Sequence, residues 1–292
     1  MGTLLQANGL EVGEFPETWN ITHPDIVTNI HKSYFDAGSN VVSTNSFGAN
    51  SLKFKYDELK KIIKAAVDNA KTAKSLTDNN SEKYIALDIG PTGKLLKPLG
   101  QLSFDDAVEV FSTTVKIGVE CGVDLIFIET MNDSYETKAG VLAAKENSDL
   151  PIIVSNAYGD DGKLMTGATP SAMVAMLEGL GVDALGANCS LGPVQLQKVV
   201  TELIENASVP VLVKPNAGMP RTIDNTTVFD ISPEEFAFEI SKMVDNGVRL
   251  IGGCCGTTPE YVKKVFKLNK NVVPKPVNIK HFTVVSSYTH SV

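Results

Sequence analysis

Three of the four cysteines, Cys189, Cys254 and Cys255, each close an apolar, β-branched run, and two of them are adjacent. Thiolates bind Zn²⁺ at about 2.3 Å, and three protein ligands with one open position characterise a catalytic rather than a structural zinc site. Gly252, Gly253 and Gly256 flank the pair, so the backbone can bend to turn both vicinal sulfurs toward one ion. The amide oxygen of Asn216, at the end of the run between them, is a candidate weak fourth ligand that substrate would displace. A zinc ion with three anionic ligands is a poor Lewis acid for hydrolysis. It is better suited to binding a further thiol, whose pKa of about 8.5 falls on coordination while the sulfur stays nucleophilic. That chemistry is alkyl transfer to sulfur. The fourth cysteine, Cys121, ends a helical pattern and reads as a small core residue. No CxxC spacing is present, so the metal reading depends on the fold bringing the three sulfurs together.

The elements that would position them recur along the chain. Strands are expected at Val41–Ser46, Tyr84–Ile89, Asp124–Glu129, Pro151–Asn156, Ala184–Cys189, Val209–Pro215 and Val248–Cys254. Most are continuously apolar, as parallel strands covered on both faces are. Helices are expected near 23–37, 56–77, 103–121, 133–146, 170–180, 193–206, 233–246 and 259–268. Thr169-Pro170, Ser232-Pro233 and Thr258-Pro259 each pair an N-cap with proline at the first helical position. Ser103 with Asp106, and Ser232 with Glu235, have the capping-box spacing. Phe104, Val108, Phe111 and Val115 share one face of the 103–121 helix. Alternating βα units of this length indicate an α/β fold, a (β/α)₈ TIM-type barrel whose first strand is missing, so that the visible strands take places two to eight. Neither GxGxxG after the first strand nor a Walker A motif appears, which disfavours a nucleotide-binding sheet.

Barrel enzymes gather their chemistry at the C-terminal strand ends. Here those ends read Thr44-Asn45-Ser46, Asp88-Ile89-Gly90, Glu129-Thr130, Asn156, Asn188-Cys189-Ser190, Lys214-Pro215-Asn216 and Gly252-Gly253-Cys254-Cys255. The composition is 43% apolar and 21% charged with net charge −8 and no basic run, so nucleic acid is not an expected partner. No apolar stretch approaches the roughly 18 residues of a membrane span, and no secretory signal opens the chain. Adjacent cysteines rarely bridge, so the thiols are expected reduced and the protein cytoplasmic.

The segments TNSFGANSLK (44–53), IGPTGKLLKPLG (89–100), NCSLGP (188–193), PNAGMP (215–220) and GGCCGTTPE (252–260) resemble the homocysteine S-methyltransferase family. Within it they are most similar to the homocysteine-binding module of cobalamin-dependent methionine synthases. The resemblance covers nearly the whole chain. It implies a (β/α)₈ barrel, zinc held by Cys189, Cys254 and Cys255, L-homocysteine as methyl acceptor and L-methionine as product. It further implies that Glu129 holds the substrate ammonium and that the backbone N–H groups of Gly2 and Thr3 meet its carboxylate. Asn45 and Asn156 would line the pocket. The family's start resembles DGAMGT after a first strand, whereas this chain begins at the Met of that motif. The strand and the substrate-binding Asp are therefore expected to be absent, by trimming of a longer protein or in a shortened variant. Residues 1–271 are expected to form the zinc barrel, and 272–292 a linker or tail like the one that leads to a pterin-binding module. Cobalamin would then sit on a separate module or chain. A methylcorrinoid protein is the favoured donor, S-methylmethionine and betaine stay open, and a binding module inert without its corrinoid partner is the alternative. Lys214 departs from the family pattern and reads as a rim charge; a Schiff-base role for it would leave the cysteines unexplained.

Overall fold

The computed structural model describes residues 1–79, 81–223, 226–281 and 283–292. Its backbone forms two compact units, one of residues 1–129 and 135–153, the other of residues 130–134 and 154–292. Strand and helix alternate through both, and the seven-stranded sheet runs in chain order. This is the α/β succession of a TIM-type barrel with its first strand lacking, as the sequence predicts.

In the first unit the elements are α1 (Gly2–Ala7), α2 (Trp19–Thr22), α3 (Pro24–Asp36), β1 (Val41–Ser43), α4 (Tyr56–Ser75), β2 (Tyr84–Ile89), α5 (Phe104–Glu120), β3 (Leu125–Met131) and α6 (Ser134–Asn147), with β4 (Ile152–Asn156) leaving it. Residues 2–7 are helical. The N–H groups of Leu4 and Leu5 reach the Met1 carbonyl, and Leu5 is fully buried beside Trp19, Val27 and Ile30. Burying such a leucine contributes roughly 1.5–3 kcal/mol, which offsets part of the cost of ordering the turn, about 1–2 kcal/mol per residue. The buried face of α5 is Ala107, Val110, Phe111, Thr114, Val115 and Gly118. It is rotated from the expected face, so Phe104 and Val108 are only half-buried. Phe104 instead meets Tyr135 edge-on at 6.2 Å.

His31 lies buried on α3, with no hydrogen-bond partner for Nε2 among the described residues. Burial lowers its pKa from 6.5 to about 3. The folded state then refuses a proton that the unfolded chain accepts below pH 6.5, so stability falls with pH from there down to about 3. Between pH 7 and pH 4 this one residue is expected to cost about 3 kcal/mol. Urea unfolding at the two pH values reads it directly, and His31→Leu should flatten the difference; an equally steep profile in the variant would assign the acid loss elsewhere.

The second unit carries α7 (Pro170–Gly179), β5 (Ala184–Asn188), α8 (Pro193–Asn206), β6 (Val211–Lys214), an antiparallel hairpin of β7 (Pro220–Ile223) and β8 (Thr226–Phe229), α9 (Pro233–Asn246), β9 (Leu250–Ile251) and α10 (Pro259–Asn269). Caps form where the sequence places them. Ser103, Thr169 and Ser232 accept from Asp106, Ala172 and Glu235, and Ser232 with Glu235 completes a capping box. Thr258 differs, since its side chain makes no cap bond.

The hairpin was not expected; its β-branched residues follow the PNAGMP segment, which reads as loop. The last strand is two residues long rather than seven. Its backbone nevertheless keeps bonding to the β6 segment, through Arg249 N to Val211 O, Gly252 N to Val213 O and Cys254 N to Pro215 O. The tail beyond α10 lies on this unit. Lys280 N donates to Ser208, Thr169 N to the Thr289 carbonyl, and Tyr288 Oη to Asp133. Among the described residues no helix is long and apolar enough to cross a membrane.

Candidate metal centre

Every residue of the cysteine cluster belongs to the second unit. Cys189 directly follows β5, and Cys254 and Cys255 lie in the turn after β9. Their sulfur atoms all fall within 4.8 Å of one another, with Cys189 Sγ 4.0 Å from Cys255 Sγ. Two sulfurs on a tetrahedral zinc stand about 3.8 Å apart, given bonds of about 2.3 Å. The cluster thus has the spacing and the soft donors that such an ion requires.

The backbone that holds it is unusual. Cys189 and Ser190 have φ of 59° and 55°, and Thr130, at the end of β3, has 61°. Left-handed backbone at non-glycine residues costs of order 1–3 kcal/mol each and survives only where neighbours enforce it. Here Cys189 N donates to Lys214 O, Leu191 N to Cys189 O, and Asn216 N to Leu191 O.

The vicinal pair is pinned from the segment after β6. Cys254 N bonds to Pro215 O at 2.8 Å, and Ala217 N to Cys255 O at 2.9 Å. Asn216 Oδ1 accepts from Cys255 N at 3.1 Å, which engages one lone pair of the oxygen offered above as a ligand. Thr257 Oγ1 donates to the Cys254 carbonyl at 2.6 Å. Gly256 has φ of +78°, and a Cβ there would meet Phe229, so glycine alone fits that turn.

Crowding three sulfurs raises the cost of charging them. Hydrogen bonding with Cys189 draws the Cys255 thiol down, but the Cys254 sulfur and burial outweigh this and push it up to about 11. For Cys189 the bond to Cys254 lowers and the bond to Cys255 and burial raise, with a net rise. A cation among them reverses that balance.

Asn188, the last residue of β5, is fully buried. Its Oδ1 accepts from Thr130 N at 2.9 Å and from Ser155 Oγ at 2.6 Å. Its Nδ2 donates to Thr130 Oγ1 at 2.7 Å and points at Cys254 Sγ, 3.9 Å away. The sequence places Asn188 at a strand end without assigning it a task. A cavity of about 400 Å³ lies in the same unit, lined among others by Thr130, Asn132, Ala157, Lys163, Met165 and Ser190. That volume is in the range of small-molecule sites.

The other predicted residues are placed as follows. Asn156, fully buried at the end of β4, donates to Met131 O at 3.2 Å. Lys214 is half-buried, its stem packed where a Cβ on Gly252 would fall. In the first unit, Glu129 is buried on β3. Asn45 is buried too, and its Nδ2 donates to Pro16 O and Asn20 Oδ1, so its amide hydrogens hold α2 and the segment before it. Gly2 and Thr3 open α1. Cys121 is half-buried at the C-terminus of α5, where burial raises its pKa.

Parallel βα units carrying a cluster of three convergent cysteines define a barrel protein able to hold a soft metal ion. The chain belongs to the homocysteine S-methyltransferase family, whose model matches residues 1–268. Methionine synthase of Mycobacterium leprae is 31% identical over 94% of this chain and 24% of its own length. That of Mycobacterium tuberculosis is 29% identical over 98% and 25%. The chain thus spans about a quarter of the length of these curated relatives. Among solved structures, the metallated form of the homocysteine methyltransferase MmuM from Escherichia coli superposes with a TM-score of 0.79 at 22% identity, covering 92% of this chain and 94% of that one. At that identity the likeness bears on the fold.

Proposed function

We propose that this chain carries methyl transfer to the thiol of L-homocysteine, giving L-methionine, with Cys189, Cys254 and Cys255 holding zinc. The convergence of three sulfurs within 4.8 Å, in a chain of this family, supports the reading. A zinc ion there supplies thiol activation, lowering the pKa of the substrate sulfur at neutral pH. The chain's own residues do the rest. Asn216, Thr257 and the backbone of 215–217 hold the cysteine turn rigid. Glu129 fixes the substrate ammonium, and the N–H groups of Gly2 and Thr3 take its carboxylate. Asn156 supports the pocket, and Asn45 steadies the segment before α2. The thiol proton leaves to solvent; the S–CH₃ bond forms as the donor–CH₃ bond breaks, and the leaving group keeps the electron pair. Orientation of the two partners supplies much of the rate.

The favoured donor is a methylcorrinoid fed by methyltetrahydrofolate, with cobalamin on a separate module or chain and residues 272–292 as the connecting tail. The quarter-length match to methionine synthases favours one second reading, a module that presents homocysteine to a separate corrinoid protein and is inert alone. The protein is proposed to work in the cytoplasm. A donor panel decides between the readings. Zinc-loaded protein is assayed for methionine with S-methylmethionine, betaine and methylcobalamin, with and without a corrinoid protein. Product from a simple donor without corrinoid removes the inert-module reading; no product under any condition removes the enzyme. Glu129→Gln is expected to raise the homocysteine KM at least about tenfold, as loss of a charge-assisted contact does. An unchanged KM would take Glu129 out of the substrate site.

A further inference from the structure

We infer that Asn188 is a positioning residue for the metal centre, its side-chain amide locked so that an N–H is aimed at the Cys254 sulfur. The inference rests on the zinc reading above. Its basis is the set of hydrogen bonds that one buried amide makes to Thr130, Ser155 and Cys254. Oδ1 faces two donors, the Thr130 backbone N–H and the Ser155 hydroxyl. A flipped amide would set its own NH₂ against the Thr130 N–H, so the orientation is determined by the partners. One Nδ2 hydrogen is then taken by Thr130 Oγ1 at 2.7 Å, and the other is directed to Cys254 Sγ at 3.9 Å, within the longer reach of a sulfur acceptor.

The placement gives this amide two connections to the cluster. Asn188 precedes Cys189 in the chain, and its side chain meets Cys254 from across the site. It also anchors Thr130, whose left-handed backbone directly follows Glu129. One side chain therefore sets the register between two of the three sulfurs and the strand end next to the proposed ammonium contact. The electrostatics point the same way. Three thiolates on a dication leave a net charge of −1, and a substrate thiolate makes it −2. An N–H donor to one sulfur withdraws part of that excess, as groups hydrogen-bonded to metal ligands commonly do.

Asn188→Asp is the sharp variant. One carboxylate oxygen still accepts from Thr130 N and Ser155, and the Thr130 hydroxyl can turn to donate to the other. The Thr130 bond is kept with its direction reversed, and the sulfur contact changes from a donor to a negatively charged oxygen. With cobalt(II) as spectroscopic probe, the sulfur-to-metal charge-transfer bands are expected to shift, and zinc affinity by chelator competition to fall ten- to a hundredfold. In wild-type protein loaded with ¹¹³Cd, the Asn188 side-chain N–H is expected to show coupling to the metal nucleus. This measurement stands even if the variant fails to fold. No coupling in the wild type, or a folded variant with unchanged cobalt spectrum and zinc affinity within about twofold, overturns the role of Asn188 and leaves the zinc reading intact. Wild-type protein that takes up neither cobalt nor cadmium with thiolate bands overturns the zinc reading, and this inference with it.

Discussion

Cys255→Ala is expected to abolish zinc retention and to reduce kcat/KM for methionine formation by at least about 10³-fold, close to 4 kcal/mol of lost transition-state stabilisation. Two sulfurs cannot replace three as the protein's share of a tetrahedral thiolate site. Cys255 is the informative position because its side chain is the exposed one of the three. Its backbone is held independently, by Asn216 Oδ1 at its N–H and by Ala217 N at its carbonyl. Removing the sulfur leaves those bonds in place, so the folding stability of the metal-free protein should change by no more than about 0.5 kcal/mol, as at other surface positions. Metal content per chain, thermal unfolding and turnover together test the claim. A variant that keeps one zinc per chain and more than a tenth of wild-type turnover would remove Cys255 from the site.

Gly186→Ala is expected to have the largest effect on stability, about 3 kcal/mol or more. Gly186 sits in β5, paired with Leu212 of β6. A Cβ there would lie 1.9 Å from the Leu212 carbonyl oxygen and 2.7 Å from its carbon. Ordinary overpacking costs about 1–3 kcal/mol because side chains can move aside. Here the obstacle is the backbone of a hydrogen-bonded neighbour strand, which can give only by separating the pair. The consequence reaches the site, because Asn188 and Cys189 follow two and three residues later on the same strand end. Urea unfolding should show the loss, and residual folded protein should bind zinc more weakly than wild type. A variant with wild-type unfolding midpoint would mean that the β5–β6 pairing is looser than this geometry requires.

Much of the scaffold was legible because local rules and tertiary packing agree. Helices α8 and α9 begin and end where proline, caps and apolar spacing place them, at 193–206 and 233–246. Disagreement arose where distant contacts outweighed local pattern. Residues 2–7 carry no strong helix signal, yet Leu5 is buried against Trp19, Val27 and Ile30. The last strand shortens because the glycines after Ile251 bend the chain out of a regular ladder while its bonds to the β6 segment persist.

The sequence by itself determined the donor chemistry: three thiols at apolar strand ends, two of them vicinal among glycines, are soft ligands wherever they meet. It also determined the βα alternation, because continuous apolar runs between capped helices satisfy their backbone bonds best in a covered parallel sheet. Only the tertiary structure decided that the sulfurs meet, since residues 65 positions apart converge through the pairing of β5, β6 and β9. It alone showed which polar groups are occupied. Asn216 bonds the Cys255 amide, and Asn188 links Thr130, Ser155 and Cys254. The physical reason is that ligand type is a property of a residue, whereas hydrogen-bond direction and left-handed backbone are imposed by neighbours that sequence spacing does not identify.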